Sequence, residues 1–177
     1  MSKYKNWDIV FDYAMDCISG KRIANKYRIK ACERFMEDYE SGRYDFDPKD
    51  AEFVIRIIEN TICHQQGEDK EGTPLRGTPF LLMPFHKFIS YNILGFYNKG
   101  TRIKRYHECL IFIPRKNVKT SFAGALSYAL GLLYRMSGTK IYVVAAAQKQ
   151  TLETFGFVTY NIKHMGEWDE DGGHFHI

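Results

Sequence analysis

Apolar side chains in the first third of the chain recur every three or four residues, the spacing at which they share one face of a helix. The first such run extends from Trp7 to Ile18, with Asn6 placed to cap it and Gly20 to end it. A second helix is predicted from about Lys26 to Tyr39. A third begins after Asp47 and Pro48, and its apolar stripe is Ala51, Val54, Ile55, Ile58 and Ile62.

The stretch QQGEDKEGTPLRGTPF, residues 65–80, brings glycine, proline and charge together and is typical of a long surface loop. Its composition marks the predicted domain boundary. We therefore predict an N-terminal helical region with its linker over residues 1–78 and a second domain over residues 79–177.

The second domain changes character along its length. After a helical segment that opens at Pro84, the runs ECLIFI (108–113) and KIYVVAAA (140–147) are short, continuous and apolar, as in strands buried on both faces. Between them, apolar residues return to helical spacing from Phe122 to Met136. The predicted fold class is α/β: an N-terminal helical region followed by the start of a parallel sheet of P-loop NTPase type, with the order β-loop-α-β.

Composition agrees with a globular protein, since 177 residues of which 45% are hydrophobic and 15% aromatic can build a substantial core. No apolar run reaches the roughly 18 residues of a transmembrane helix, and the N-terminal residues resemble no secretion signal. We therefore expect no membrane association and a cytoplasmic location. Four scattered cysteines, Cys17, Cys32, Cys63 and Cys109, are expected to be reduced core residues.

Residues 114–121 read PRKNVKTS and join the first predicted strand to the helix that follows. In a loop of the pattern G-x-x-x-x-G-K-[ST], the lysine reaches the outer phosphates of a nucleotide and the hydroxyl binds Mg²⁺. Lys119 and Thr120 occupy these two positions, but the template glycines fall on Ile113 and Val118. A solvated basic loop is the alternative interpretation.

The run HECLIFIPRKNVKTSFAGALSYALGLLYRMSGTKIYVVAAAQKQT closely resembles the ATPase core of the terminase large subunits of tailed bacteriophages. Upstream, SGKRIANKYRIKACERFMEDYE resembles the helical region of that family, and TPFLLMPFHKFI resembles the segment that contacts adenine. The resemblance covers nearly the whole chain. It implies the ATP-binding portion of a DNA-packaging motor, which couples ATP hydrolysis to translocation of double-stranded DNA into a procapsid.

The resemblance also assigns roles by position, with ATP and Mg²⁺ as cofactors. It implies that Lys119 is the phosphate lysine, that Thr120 is the magnesium ligand, and that Arg115 stabilises phosphate charge or senses a neighbouring subunit. The implied nucleotide-binding set is Arg115, Lys116, Asn117, Val118, Lys119, Thr120 and Ser121, with Phe85 and His86 where the family has tryptophan and glutamine. Val118 replaces a glycine, so positive φ at this position would strain its branched side chain.

The second acidic motif and the nuclease domain of the family have no counterpart in residues 1–177, since EWDEDGG (167–173) follows no apolar strand. We therefore expect a truncated ATPase domain that is inactive alone. The resemblance implies double-stranded DNA, a small terminase subunit and the portal protein as partners, a homo-oligomer in the assembled motor, and the host cytoplasm as its location. The alternative is a degenerate or truncated, non-enzymatic module acting through protein or DNA contacts.

Two other groups of residues offer candidate chemistry. Residues 99–119 contain one acid, Glu108, and seven cations: Lys99, Arg102, Lys104, Arg105, Arg115, Lys116 and Lys119. These cations form either a solvated basic face or a surface that binds nucleic acid or phosphate. Cys63 and His64 could join His174 and His176 around zinc, but these pairs are far apart in sequence and fit no finger spacing.

Overall fold

The computed structural model describes residues 4–114, 117–135 and 139–165. Six helices and two short strands are present in these residues: α1 (Trp7–Ile18), α2 (Lys26–Glu40), β1 (Tyr44–Phe46), α3 (Lys49–Thr61), α4 (Pro84–Gly95), β2 (Phe96–Asn98), α5 (Lys119–Leu133) and α6 (Gln148–Met165). None of these helices is both long and apolar enough to cross a lipid bilayer.

Helical periodicity located α1 to α5 correctly. The N-terminus of α2 is capped by Asn25, whose side-chain oxygen accepts hydrogen bonds from the backbone N–H groups of Tyr27 and Arg28. The predicted apolar stripe of α3 and Ile62 after it is at most 1% exposed at every position. In α2 the side chains of Cys32, Phe35 and Met36 are buried, whereas Tyr27 is 72% exposed.

The chain divides into two compact units, each drawn from two separate segments. Unit 1 comprises Met1–Ile55 and Leu82–Ile111, and unit 2 comprises Arg56–Leu81 and Phe112–Ile177. The domain boundary inferred at residues 78 and 79 from composition stays a prediction.

Unit 1 is built on aromatic packing around a two-stranded antiparallel sheet. α1 packs against α2 and α4, and β1 pairs with β2 so that Asp45 faces Tyr97. The ring of Phe46 lies 4.9 Å from Phe96 and 5.3 Å from Trp7, centroid to centroid. A side chain at Gly95 would come within 2.9 Å of the Phe46 ring, so this position requires glycine.

Unit 2 is built on the packing of α5 against α6. Its buried core contains Ile58, Ile62, Phe80, Phe122, Ala125, Ala129, Phe157 and Asn161. The segment 63–80 folds back on itself through isolated bridges between Cys63 and Pro79 and between Glu68 and Pro74. The side chain of Asn161 ties this segment to α6, since its oxygen accepts a hydrogen bond from the backbone N–H of Cys63 at 2.7 Å.

The prediction of a parallel sheet is not met in the described part of the chain. Residues 108–113 and 140–147 form no strand there, and the described sheet is the antiparallel pair of β1 and β2. Leu110 and Phe112 are each 92% exposed and Val144 is 90% exposed. A continuous apolar run predicts burial, but a strand exists only where a neighbouring strand takes its backbone hydrogen bonds. The fold is therefore α/β only in the broad sense of mixed helices with a small sheet.

Candidate functional site

The candidate phosphate loop lies at the start of α5, in unit 2. Val118 is the residue before the first helical turn and adopts the left-handed conformation, with φ 52° and ψ 25°. Of the described residues other than glycine, it alone has positive φ. The position of the second glycine in the pattern G-x-x-x-x-G-K-[ST] thus has the backbone geometry that glycine accepts best, and valine occupies it under strain.

The first turn of α5 leaves its backbone donors available. The first helical hydrogen bond runs from the N–H of Phe122 to the carbonyl of Val118 at 2.9 Å, so the N–H groups of residues 119–121 have no helical acceptor. Val118 offers no side-chain cap to them. Uncapped N–H groups at a helix N-terminus, where the helix dipole is positive, are suited to holding phosphate oxygens.

The described side chains of this turn are exposed or half-buried. Lys119 is exposed, and no salt bridge of the described residues involves it. Thr120 and Ser121 are half-buried. Asn117 tightens the loop by donating from Nδ2 to the carbonyl of Pro114 at 3.2 Å. Arg115 and Lys116 lie outside the described residues, so their predicted roles have no structural account.

Buried side chains fix the direction of α5 behind the loop. Phe122 is 1% exposed and follows the candidate turn directly, and Ala125 and Ala129 continue the buried face. At Gly124 the backbone of α5 comes close to Phe157 and Thr154 of α6. The loop therefore sits on a helix that is held by packing.

The predicted adenine contacts, Phe85 and His86, lie at the start of α4 in unit 1. His86 is 1% exposed, and its Nδ1 accepts a hydrogen bond from the backbone N–H of Met83 at 3.3 Å. Burial lowers the pKa of its imidazole to about 4, so the ring is neutral at pH 7. The half-buried ring of Phe85 lies 3.8 Å from it, centroid to centroid. His86 thus caps α4, and a role of either residue toward adenine stays a prediction.

Candidate metal ligands are sparse. In residues 4–114, 117–135 and 139–165 no three histidine, cysteine or acidic side chains group as a metal site, so Thr120 would depend on nucleotide phosphates for the other oxygen ligands of Mg²⁺. The backbone N–H of Cys63 donates to Asn161, and the His64 ring packs 4.9 Å from that of Phe80, centroid to centroid. His174 and His176 lie outside the described residues. All four cysteines are free thiols, and Cys109 is exposed and not in the core.

Aspartates form salt bridges with most of the described cations between residues 99 and 119. Lys99 pairs with Asp45 at 3.0 Å, Arg102 with Asp47 at 3.4 Å, Lys104 with Asp50 at 2.6 Å, and Arg105 with Asp38. The sequence interpretation missed these partners because it counted acids within the segment, whereas the four aspartates come from residues 38–50. Lys104 also donates a hydrogen bond to the carbonyl of Leu94 at 2.6 Å, so its side chain links Asp50 to the end of α4.

Comparison with known protein families, with curated proteins and with solved structures finds no match. The candidate site therefore rests on the local structure alone: Lys119 and Thr120 begin α5 and follow Val118, which is left-handed.

Proposed function

We propose that this chain is the ATP-binding portion of a DNA-packaging motor related to the large terminase subunits. The observation that supports the proposal is the left-handed backbone of Val118 directly before Lys119 and Thr120, at the uncapped N-terminus of α5. Uncapped N–H groups at a helix N-terminus are suited to holding the oxygens of a triphosphate.

In this proposal each residue of the turn has one task. The N–H groups of residues 119–121 hold phosphate oxygens, and the ammonium of Lys119 neutralises the outer phosphates. The hydroxyl of Thr120 orients Mg²⁺. ATP, when bound, supplies the transferable phosphoryl group. Arg115 would act on the same charge from within the loop.

Hydrolysis and DNA movement would need further parts. A carboxylate that activates water would come from a linked domain or a neighbouring subunit, so the chain alone should turn over ATP negligibly. In the assembled motor the partners would be double-stranded DNA, a small terminase subunit and the portal protein, in a homo-oligomer in the host cytoplasm.

Titration of Mg-ATP by calorimetry tests the proposal. Lys119→Ala should abolish measurable binding because the loop loses its described cation on the outer phosphates. Lys149→Ala is the matched control, since Lys149 is also an exposed lysine in the first turn of a helix, α6. Equal binding by both variants, or no binding by the parent chain, would contradict the proposal.

A second candidate is a degenerate or truncated, non-enzymatic module that acts through protein or DNA contacts. The observation that favours it is the strained valine in the loop, since a β-branched residue costs on the order of 1 to 3 kcal/mol in this conformation. This candidate predicts a stably folded chain for which Mg-ATP produces no heat of binding and no rise in melting temperature.

A further inference from the structure

Tyr160 on α6 contacts the side chains of Arg76 and His164 in unit 2. The guanidinium carbon of Arg76 lies 5.6 Å from the centroid of the Tyr160 ring. The imidazole of His164 stacks on the same tyrosine at 4.4 Å with an interplanar angle of 27°, and its Nε2 lies 3.3 Å from the Tyr160 hydroxyl. We refer to Arg76, Tyr160, Lys163 and His164 as the Arg76 patch.

Local structure holds the members of the Arg76 patch together. Tyr160, Lys163 and His164 are three and four residues apart on α6, so they share one face of the helix. They lie near its C-terminal end, where the helix dipole favours positive charge. Arg76 is carried on a bonded turn, since the N–H of Gly77 donates to the carbonyl of His64 at 2.8 Å and the N–H of Leu75 donates to that of Gly67 at 2.8 Å.

Within the described residues, Arg76 and Lys163 differ from the paired cations of residues 99–105 in having no acidic partner. Arg76 and Lys163 are exposed, and neither takes part in a salt bridge or side-chain hydrogen bond within the described residues. The guanidinium is instead placed over an aromatic ring, which leaves its N–H edges available. An arginine oriented in this way binds a phosphate through two parallel hydrogen bonds.

We propose that the Arg76 patch binds the phosphodiester backbone of double-stranded DNA. The identity of the polyanion as DNA rests on the proposed function, whereas its affinity for phosphate rests on the geometry of Arg76. Arg76 and Lys163 carry positive charge beside Tyr160, and neither is arranged to read base edges. Binding is therefore independent of sequence and falls as the salt concentration rises.

Anisotropy of a short labelled duplex, titrated with the full chain over a range of salt concentrations, tests this inference. Arg76→Ala should weaken binding about tenfold and lower the salt slope by about 1, as expected for one lost phosphate contact. Arg43→Ala is the matched control because Arg43 is an exposed arginine of unit 1 outside every described salt bridge, and its loss changes the net charge equally.

Two tyrosine variants test the orienting role of the ring. Tyr160→Leu retains every charge and should weaken binding less than Arg76→Ala does, whereas Tyr160→Phe should behave as the parent chain. Equal effects of Arg76→Ala and Arg43→Ala, or no duplex binding by the parent chain at low salt, would overturn the inference.

The outcome is separable from that of the proposed function. If Arg76→Ala matches Arg43→Ala while Lys119→Ala abolishes Mg-ATP binding, the inference fails and the proposed function stands. If duplex binding depends on Arg76 but the parent chain binds no Mg-ATP, the inference stands and the proposed function fails.

Discussion

A methyl group on Gly124 would lie 2.9 Å from Cδ1 of Phe157, so α5 and α6 approach at a point where only glycine fits. Alanine would also meet the carbonyl oxygen of Thr154 at 3.4 Å, so its gain in helix propensity is outweighed by overpacking. We expect Gly124→Ala to lower the free energy of unfolding by about 1 kcal/mol, measured by urea denaturation.

Gly156→Ala is the control for this prediction, because a side chain at Gly156 in the middle of α6 would meet nothing within 4 Å. There the helix propensity of alanine acts alone and should raise stability by about 0.5 to 1 kcal/mol. A gain in stability from Gly124→Ala would show that the two helices do not pack as described.

Val118 offers a second test, because its left-handed backbone is present without any ligand. Val118→Gly removes the strain of a β-branched residue at φ 52°, which stabilises the folded chain. Glycine also gives the unfolded chain more conformational freedom, which offsets part of this stabilisation. We expect a net rise of about 0.5 to 1 kcal/mol in the free energy of unfolding. The affinity for Mg-ATP should change little, since the conformation already exists before binding.

Val118→Ala separates the two contributions to this effect. Alanine keeps the Cβ that disfavours positive φ and removes only the branch, so it should gain less than glycine. If thermal melts show that Val118→Gly is less stable than the parent chain, the loop does not hold Val118 in the left-handed region.

Sequence periodicity predicted the helices because their apolar spacing is a local property. Ala51, Val54 and Ile58 repeat at helical intervals and are all buried, so α3 needs no tertiary information. Helix α6 was not predicted from the sequence. Its apolar residues Leu152 and Phe155 are more than half exposed, so they do not lie on one buried apolar face.

Pairing over long distances could not be predicted. The exposed Leu110 and Phe112 show that an apolar run does not by itself select a strand partner. Likewise the contact of Lys104 with Asp50 depends on how residues 54 positions apart are brought together. The candidate loop was located because Lys119 and Thr120 follow a local pattern, whereas the orientation of Arg76 over Tyr160 has no sequence signal.

A buried polar network in unit 1 gives a third prediction. Glu52 accepts hydrogen bonds from the backbone N–H and from Nδ2 of Asn6, both at 2.8 Å, and from the hydroxyl of Tyr91. Lys87 donates to the side-chain oxygen of Asn6 at 2.8 Å. The side chain of Glu52→Gln has one acceptor oxygen in place of two, so one of the donors of Asn6 and Tyr91 loses its acceptor. The free energy of unfolding should therefore fall by about 2 kcal/mol.

Urea denaturation of Glu52→Gln beside Glu40→Gln measures this effect. Glu40 is exposed at the end of α2, and removing its charge should change stability by less than about 0.5 kcal/mol. Tyr91→Phe should lie between them, because Glu52 then keeps both donors of Asn6. Equal stabilities for the two glutamine variants would show that the network contributes nothing.

His86 gives the fourth prediction, on the pH dependence of stability. Burial lowers the pKa of its imidazole from 6.5 to about 4 in the folded chain. As the pH falls below about 6.5 the unfolded chain takes up a proton that the folded chain accepts only near pH 4, so protonation favours unfolding over this window. The contribution of neutral His86 to the free energy of unfolding is complete above pH 6.5. It should decline by on the order of 2 kcal/mol between pH 6.5 and pH 4.

The measurement for His86 is the difference between two stability curves, because carboxylates also titrate toward the acid end of this window. Subtracting the urea-derived free energies of His86→Gln from those of the parent chain should leave a slope between pH 6.5 and pH 4 and a flat line above it. His107→Gln is the matched control for the substitution itself, since His107 is an exposed histidine of the same unit. A flat difference curve for His86→Gln would mean that its imidazole is hydrated in the folded chain and does not form the buried cap of α4.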